Sequence, residues 1–149
     1  MGLSEQAISQ GNVEIVRSIC RNWERGDFSS AEWAHPEIEY VNVGGPLSGS
    51  WTGLAEMAEG MRDVLSAWED FRVTADQYRE LDGERVLALS QNSGRGKTSG
   101  LDLGQTRTKA ALLFHVRGGK VTRIVSYWDR ENAFADLGLA PEAGTGKLR

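Results

Sequence analysis

Cysteine occurs once in these 149 residues, histidine twice and proline three times, and each scarcity removes a class of function. A lone Cys20 cannot close an internal disulfide, which points to a reducing cytoplasm rather than an oxidising compartment. Two histidines, one cysteine and no carboxylates clustered at ligand spacing leave no metal site to expect, and nothing in the chain calls for a cofactor. No apolar run reaches membrane-spanning length, and no charged-then-apolar leader precedes Cys20. Positive charge is also short. A net charge of −4 and a pI near 5.2 argue against a nucleic-acid or anionic-membrane partner, because an acidic surface repels phosphate backbones and acidic lipids.

What is plentiful is apolar material. Five tryptophans and a 40% hydrophobic content supply one domain with a real core, expected over residues 1–140, with 141–149 as a tail that has nothing to bury. Val13, Val16, Ile19, Cys20 and Trp23 recur at steps of three and four, one stripe of an amphipathic helix capped by Asn12 and ended at Gly26. A short second helix is expected from Phe28 to about Ala34, stopping before Pro36. Glu37 to Val43 then alternates Ile38, Tyr40 and Asn42 against Glu39, Val41 and Val43, a first strand. A third helix is expected from about Thr52 to Trp68, with Leu54, Met57, Ala58, Met61, Leu65 and Trp68 on one face.

From Phe71 the period changes to two. Phe71 to Asp82, Arg85 to Ser93, Leu101 to Val116 and Val121 to Trp128 read as an antiparallel meander, turning at Asp82-Gly83 and at Gly118-Gly119. The last hairpin, Ala110 to Asp129, is apolar on both faces. Ala110, Leu112, Phe114 and Val116 share one side, Ala111 and Leu113 the other, so it is expected to be buried once against the chain's own helices and once against a second subunit. A short helix from Asp129 to Gly138 closes the chain. The class is α+β: three N-terminal helices on a curved, mostly antiparallel sheet, with a short C-terminal helix.

Six strings spread from Asn12 to Leu139 resemble the nuclear-transport-factor-2-like superfamily, and within it the SnoaL-like polyketide cyclase and ketosteroid-isomerase-like group. They are Asn12-Val13-Glu14-Ile15-Val16-Arg17, Arg25-Gly26-Asp27-Phe28, His35-Pro36-Glu37-Ile38-Glu39-Tyr40, Ser48-Gly49-Ser50-Trp51-Thr52-Gly53, Gly118-Gly119-Lys120-Val121 and Tyr127-Trp128-Asp129-Arg130. The resemblance implies a cone-shaped domain, a cystatin-like roll, enclosing an apolar pocket and dimerising through the outer sheet face. It does not select a reaction, since this fold hosts isomerases, cyclases, hydrolases and members with none.

Carried over residue by residue, the resemblance thins the chemistry. The isomerase base, oxyanion tyrosine and acid fall on Tyr40, Ile19 and Leu112, none of which retains the group required. The Asp-Arg-Asp set of limonene-epoxide-hydrolase-like enzymes falls on Gln91, Ser93 and Ser126, which hydrogen-bond but cannot relay charge. A SnoaL-like acid near the end of the last strand corresponds to Asp129, although an aspartate that opens a helix is most often its N-cap. Acid/base cyclisation or isomerisation of a polyketide-like carbonyl compound would therefore rest on Asp129 and Tyr40. The alternative is a non-catalytic binding or dimerisation module. The pocket for a small-molecule ligand is expected to draw on Ile19, Trp23, Trp33, Met57, Met61, Gln91, Ser93, Leu112, Phe114, Ser126 and Trp128.

Other suggestive residues fall away. His35 reads as a surface or capping group and His115 as part of the subunit interface. Gly96-Lys97-Thr98 and Gly144-Thr145-Gly146-Lys147 imitate phosphate-binding loops, but Gln91 and Pro141 stand where the leading glycine is needed.

Overall fold

The computed structural model describes residues 5–28, 31–44, 48–66, 68–96 and 108–139. The Gly96-Lys97-Thr98 segment beyond Gly96, the start of the long strand expected at Leu101 and the expected tail all lie outside the described residues.

The elements run α1 (Glu5–Glu24), β1 (Ala34–Val43), β2 (Gly49–Thr52), α2 (Leu54–Ser66), β3 (Trp68–Asp82), β4 (Arg85–Gly96), β5 (Thr108–Arg117), β6 (Lys120–Tyr127) and α3 (Arg130–Leu137). The six strands form one mixed sheet in the order β2-β1-β6-β5-β4-β3. The expected meander is present from β3 to β6, and β1 joins it parallel to β6, with Tyr40 opposite Ile124 and Val41 opposite Val125. Gly118 and Gly119, both at positive φ, form the tight β5–β6 turn, the backbone that a two-residue hairpin requires.

Three sequence expectations need correction. Among the described residues there is one helix before the first strand, not two. Ala31 to Trp33 is a turn in which the Ala34 N–H reaches the Ala31 carbonyl, and Ala34 then enters β1 opposite Val121, so sheet pairing claims the backbone that a short helix would have used. Asn12 does not cap α1 but lies within it, donating from its side chain to the Gly83 carbonyl at 2.9 Å and so tying the helix to the β3–β4 turn. Trp68 is not on the α2 face, because that helix ends at Ser66 and Trp68 opens β3.

Alternation along the central strands sorts the side chains into two cores. On the inner face Ile38, Val86, Ala88, Leu112, Phe114, Val121 and Ile124 meet Val16, Ile19, Cys20 and Trp23 of α1 and Met57 of α2. On the outer face Leu87, Leu89, Ala111, Leu113, Val125 and Tyr127 meet Ala133 and Phe134 of α3. The hairpin is thus buried on both sides, as its composition demands, but its outer cover is α3 of the same chain. The cover expected from a second subunit is thus met at these residues by α3, and the helices are not confined to one side of the sheet.

Arg130 fastens α3 in place. Only 4% exposed, it donates to the carbonyls of Ala110 at 3.1 Å and Ser90 at 2.7 Å and to the Asp76 carboxylate at 2.9 Å, linking three strands. A buried guanidinium is tolerable only when its donors are met in this way. Asp76 also accepts from Gln91.

One irregularity shapes the inner face. Between Glu69 and Arg72 of β3 the partners on β4 advance only from Arg95 to Ser93, so β3 carries one extra residue. Such a bulge inverts the alternation on one side of it, and Trp68 and Phe71, three apart, both turn inward. Asp70 sits in the bulge at φ 53°, a left-handed conformation that a Cβ disfavours.

Two substitutions test these anchors by urea unfolding. Arg130→Ala is expected to lower stability by about 2 kcal/mol, less than a fully buried pair because Asp76 keeps some contact with water. Asp70→Gly is expected to raise it by up to about 1 kcal/mol, the cost of holding a Cβ at that φ.

Candidate functional site

The two helices on the inner face do not fill it. Between α1, α2 and the sheet lies a cavity walled by Trp23, Phe28, Tyr40, Asn42, Gly44, Met61, Val64, Leu65, Trp68, Phe71, Val73, Ser90, Asn92, Ala110, Ala111, Leu112, Ser126 and Trp128. The cavity volume is about 60 Å³, several times what one ordered water needs. Its walls are mainly apolar, and three indoles dominate them. Trp68 stacks on Trp128 at 5.7 Å and lies against Phe71, while Trp23 stacks on Phe28 at 5.8 Å.

Its polar groups are neutral. Tyr40 and Asn42 come from β1, Ser90 and Asn92 from β4, and Ser126 from β6, each placed by the alternation that puts apolar residues beside it. Tyr40 is the one titratable side chain among the described residues of the wall, and burial pushes its phenol up to about 12, only partly offset by its hydrogen bond to Asn42. It is thus a neutral hydroxyl throughout the physiological range. On this wall two buried polar atoms have no hydrogen-bond partner among the described residues: the Ser90 hydroxyl, on a residue 0% exposed, and the indole N–H of Trp68, on a residue 5% exposed. Buried polar groups are nearly always satisfied, so such exceptions point to something the cavity receives.

The residues expected at the site divide. Trp23, Tyr40, Met61, Leu112, Ser126 and Trp128 do line the cavity. Ile19 and Phe114 are buried in the core behind it, the latter 6.2 Å from the Trp23 ring. Trp33 and Met57 face a more open neighbouring groove with Leu54 and Ala58. Gln91 and Ser93 are displaced by the parity of β4: the cavity face carries Ser90 and Asn92, and Gln91 turns outward to the Asp76 carboxylate. Asp129 is also corrected. It is exposed, has extended backbone, and accepts the Glu131 N–H at 3.0 Å as the cap of α3, which leaves it outside the cavity.

Ser90, Asn92 and Trp68 are among the wall residues that sequence reasoning missed, as is Asn42. Val86-Leu87-Ala88-Leu89 is apolar on both faces, so nothing local told which of the next polar residues would point inward. The two histidines stand apart: His35 accepts the Glu37 N–H within β1, and His115, held below its ordinary range by burial and by Arg123 and Arg85, belongs to the outer face beside Arg123. Among the described residues no three His, Cys, Asp or Glu side chains gather as metal ligands, and no helix is long and apolar enough to cross a membrane.

Residues 16–124 match the family model of the SnoaL-like domain. The chain belongs to that family. Solved structures repeat the fold of this SnoaL-like domain across nearly their whole length. TerC, crystallised with polyporic acid, is 22% identical with a TM-score of 0.67, over 85% of this chain and 97% of its own. A protein of ketosteroid-isomerase-like fold from Catenulispora acidiphila, in complex with trimethylamine, is 18% identical with a TM-score of 0.63, over 85% and 94%. A nuclear-transport-factor-2-like protein of unknown function from Burkholderia pseudomallei is 18% identical with a TM-score of 0.69, over 84% and 95%. At these identities the likeness is one of fold. Among curated proteins none matches the sequence.

The buried phenol makes the SnoaL-like domain sensitive to alkali. Its raised value means that the unfolded chain loses this proton near the ordinary 10.0 while the folded chain keeps it to about 12. Stability from Tyr40 is therefore full below the ordinary value and is lost as pH rises between the two, by on the order of 2 kcal/mol. Urea unfolding from neutral to strongly alkaline pH is expected to show that decline, and Tyr40→Phe is expected to remove this share of it, leaving the part that comes from Cys20, Tyr78 and Tyr127, which burial also raises.

Proposed function

We propose that this SnoaL-like domain binds one small, largely apolar organic molecule in the cavity between α1, α2 and the sheet. The observation that carries the reading is a wholly buried, unpartnered Ser90 hydroxyl in a wall that is mainly aromatic and aliphatic. Apolar enclosure supplies affinity through area removed from water, and a few fixed polar groups supply orientation. TerC, a structure of the same fold, was crystallised with polyporic acid, which supports an organic ligand for such a cavity.

Turnover is the second reading, and Tyr40 is what favours it. Its neutral phenol, with Ser126 and Asn92 on the same wall, could polarise the oxygen of a polyketide-like carbonyl compound undergoing cyclisation or isomerisation. No carboxylate or imidazole stands among the described wall residues to take the proton that those reactions move, so binding without turnover is the better-supported function. The proposal needs no second subunit. We infer a cytoplasmic location from the single cysteine, Cys20, which cannot pair within the chain.

Titration with 2-naphthol, followed by tryptophan fluorescence, is expected to saturate at one probe per chain, because three indoles border the cavity. Ser126→Phe, which fills part of it, is expected to weaken that binding at least tenfold while leaving the unfolding midpoint nearly unchanged. A signal that never saturates, or equal binding by the filled variant, would refute the reading.

A further inference from the structure

The structure assigns Trp68 the role of reading an uncharged oxygen acceptor on the ligand. This inference rests on the cavity being a ligand site and adds the class of molecule: a flat, neutral compound bearing a carbonyl or quinone-type oxygen, in preference to a carboxylate or a plain hydrocarbon. An indole N–H can only donate. That of Trp68 is shielded from solvent and meets no acceptor among the described residues. The ring around it is held between apolar surfaces, stacked on Trp128 at an interplanar angle of 22° and tilted against Phe71 at 32°, and Trp68 is itself part of the cavity wall.

The fold invests in this placement. Trp68 reaches the inner face only because β3 carries its extra residue, and that bulge holds Asp70 at a disfavoured positive φ. Gly94, across the bulge on β4, leaves room for it: a Cβ there would lie 3.3 Å from the Glu69 carbonyl oxygen and from the Phe71 Cα. A merely apolar wall would need neither the strain nor an indole.

The charge of the ligand follows from the wall. A buried anion needs a cationic partner or several charge-assisted donors, and the described wall residues include no Lys, Arg or His. A neutral carbonyl needs one good donor. The Ser90 hydroxyl, also unpartnered, both donates and accepts and so tolerates either a second carbonyl or a hydroxyl.

Three naphthalenes of nearly equal shape separate the possibilities by isothermal titration calorimetry: 2-acetylnaphthalene, 2-ethylnaphthalene and 2-naphthoate. The ketone is expected to bind roughly three- to tenfold more tightly than the hydrocarbon, the value of one neutral hydrogen bond, and the carboxylate more weakly than both. Trp68→Phe, which keeps a ring against Trp128, is expected to remove the ketone's advantage and to leave the hydrocarbon within about twofold. In the unaltered protein the indole N–H resonance of Trp68 should move further downfield with the ketone than with the hydrocarbon, which acts on it through ring current alone, a readout that does not depend on the variant folding. Equal binding of ketone and hydrocarbon, tighter binding of the carboxylate, or a resonance that moves no further downfield with the ketone than with the hydrocarbon overturns the role of Trp68 while leaving the cavity a ligand site. Binding of none of the three overturns both.

Discussion

Apolar side chains on both faces of the central strands are the constraint on which the rest of this molecule depends. Leu87, Leu89, Leu113 and Val125 on one side and Val86, Ala88, Phe114 and Ile124 on the other leave β4, β5 and β6 no face to give to water. Both must be covered, and the described residues include three helices with which to do it. α1 and α2 take the inner face. α3, held by Arg130 through carbonyls of two strands and one carboxylate, takes the outer.

The cavity follows from how unequally that covering is done. The outer cover is short and close. On the inner face two helices reach across opposite parts of the sheet, α1 toward β3 and β4, α2 toward β1, β2 and β3, and the space between them is bordered by bulky rings. Indole pairs hold such a space open because large, rigid side chains stacked on one another cannot collapse into it without losing their mutual contacts. Its polar residues then matter out of proportion to their number. A hydroxyl or an N–H in an apolar enclosure is costly until something bonds to it, and this makes it selective about what does.

The same fold elsewhere accommodates acid/base chemistry by placing carboxylates on the inner wall. Here the wall positions that could carry them hold Tyr40, Leu112 and Ser126, and the one acidic candidate near the last strand is occupied with the α3 amides. What remains is a neutral surface suited to binding and orientation. Its charged residues serve elsewhere: Asp76 receives Arg130, and Asp82, held below the usual carboxylate range by the Glu84 amide and by Arg85, shapes the β3–β4 turn.

By itself the sequence determined the elements whose signals are local. The α1 stripe, the alternation of Ile38, Tyr40 and Asn42, the Gly118-Gly119 turn, the doubly apolar hairpin and the capped final helix were all legible, because periodicity and turn chemistry are properties of neighbouring residues. Positions carried over from the resemblance put Tyr40, Leu112 and Ser126, and the aromatic composition put Trp128, among the expected site residues that do line the cavity. Tertiary structure alone decided the rest. Parity along β4 is set by pairing with β5 across residues far apart in the chain, and it exchanged Gln91 and Ser93 for Ser90 and Asn92. Whether Ala31 to Ala34 coiled or extended depended on the parallel pairing with β6 some ninety residues later. The cover of the outer face was an α3 whose docking rests on an arginine that no periodicity singles out. And Trp68 entered the cavity through one extra residue in a strand, a displacement that inverts a side chain's direction while leaving almost no trace in the sequence around it.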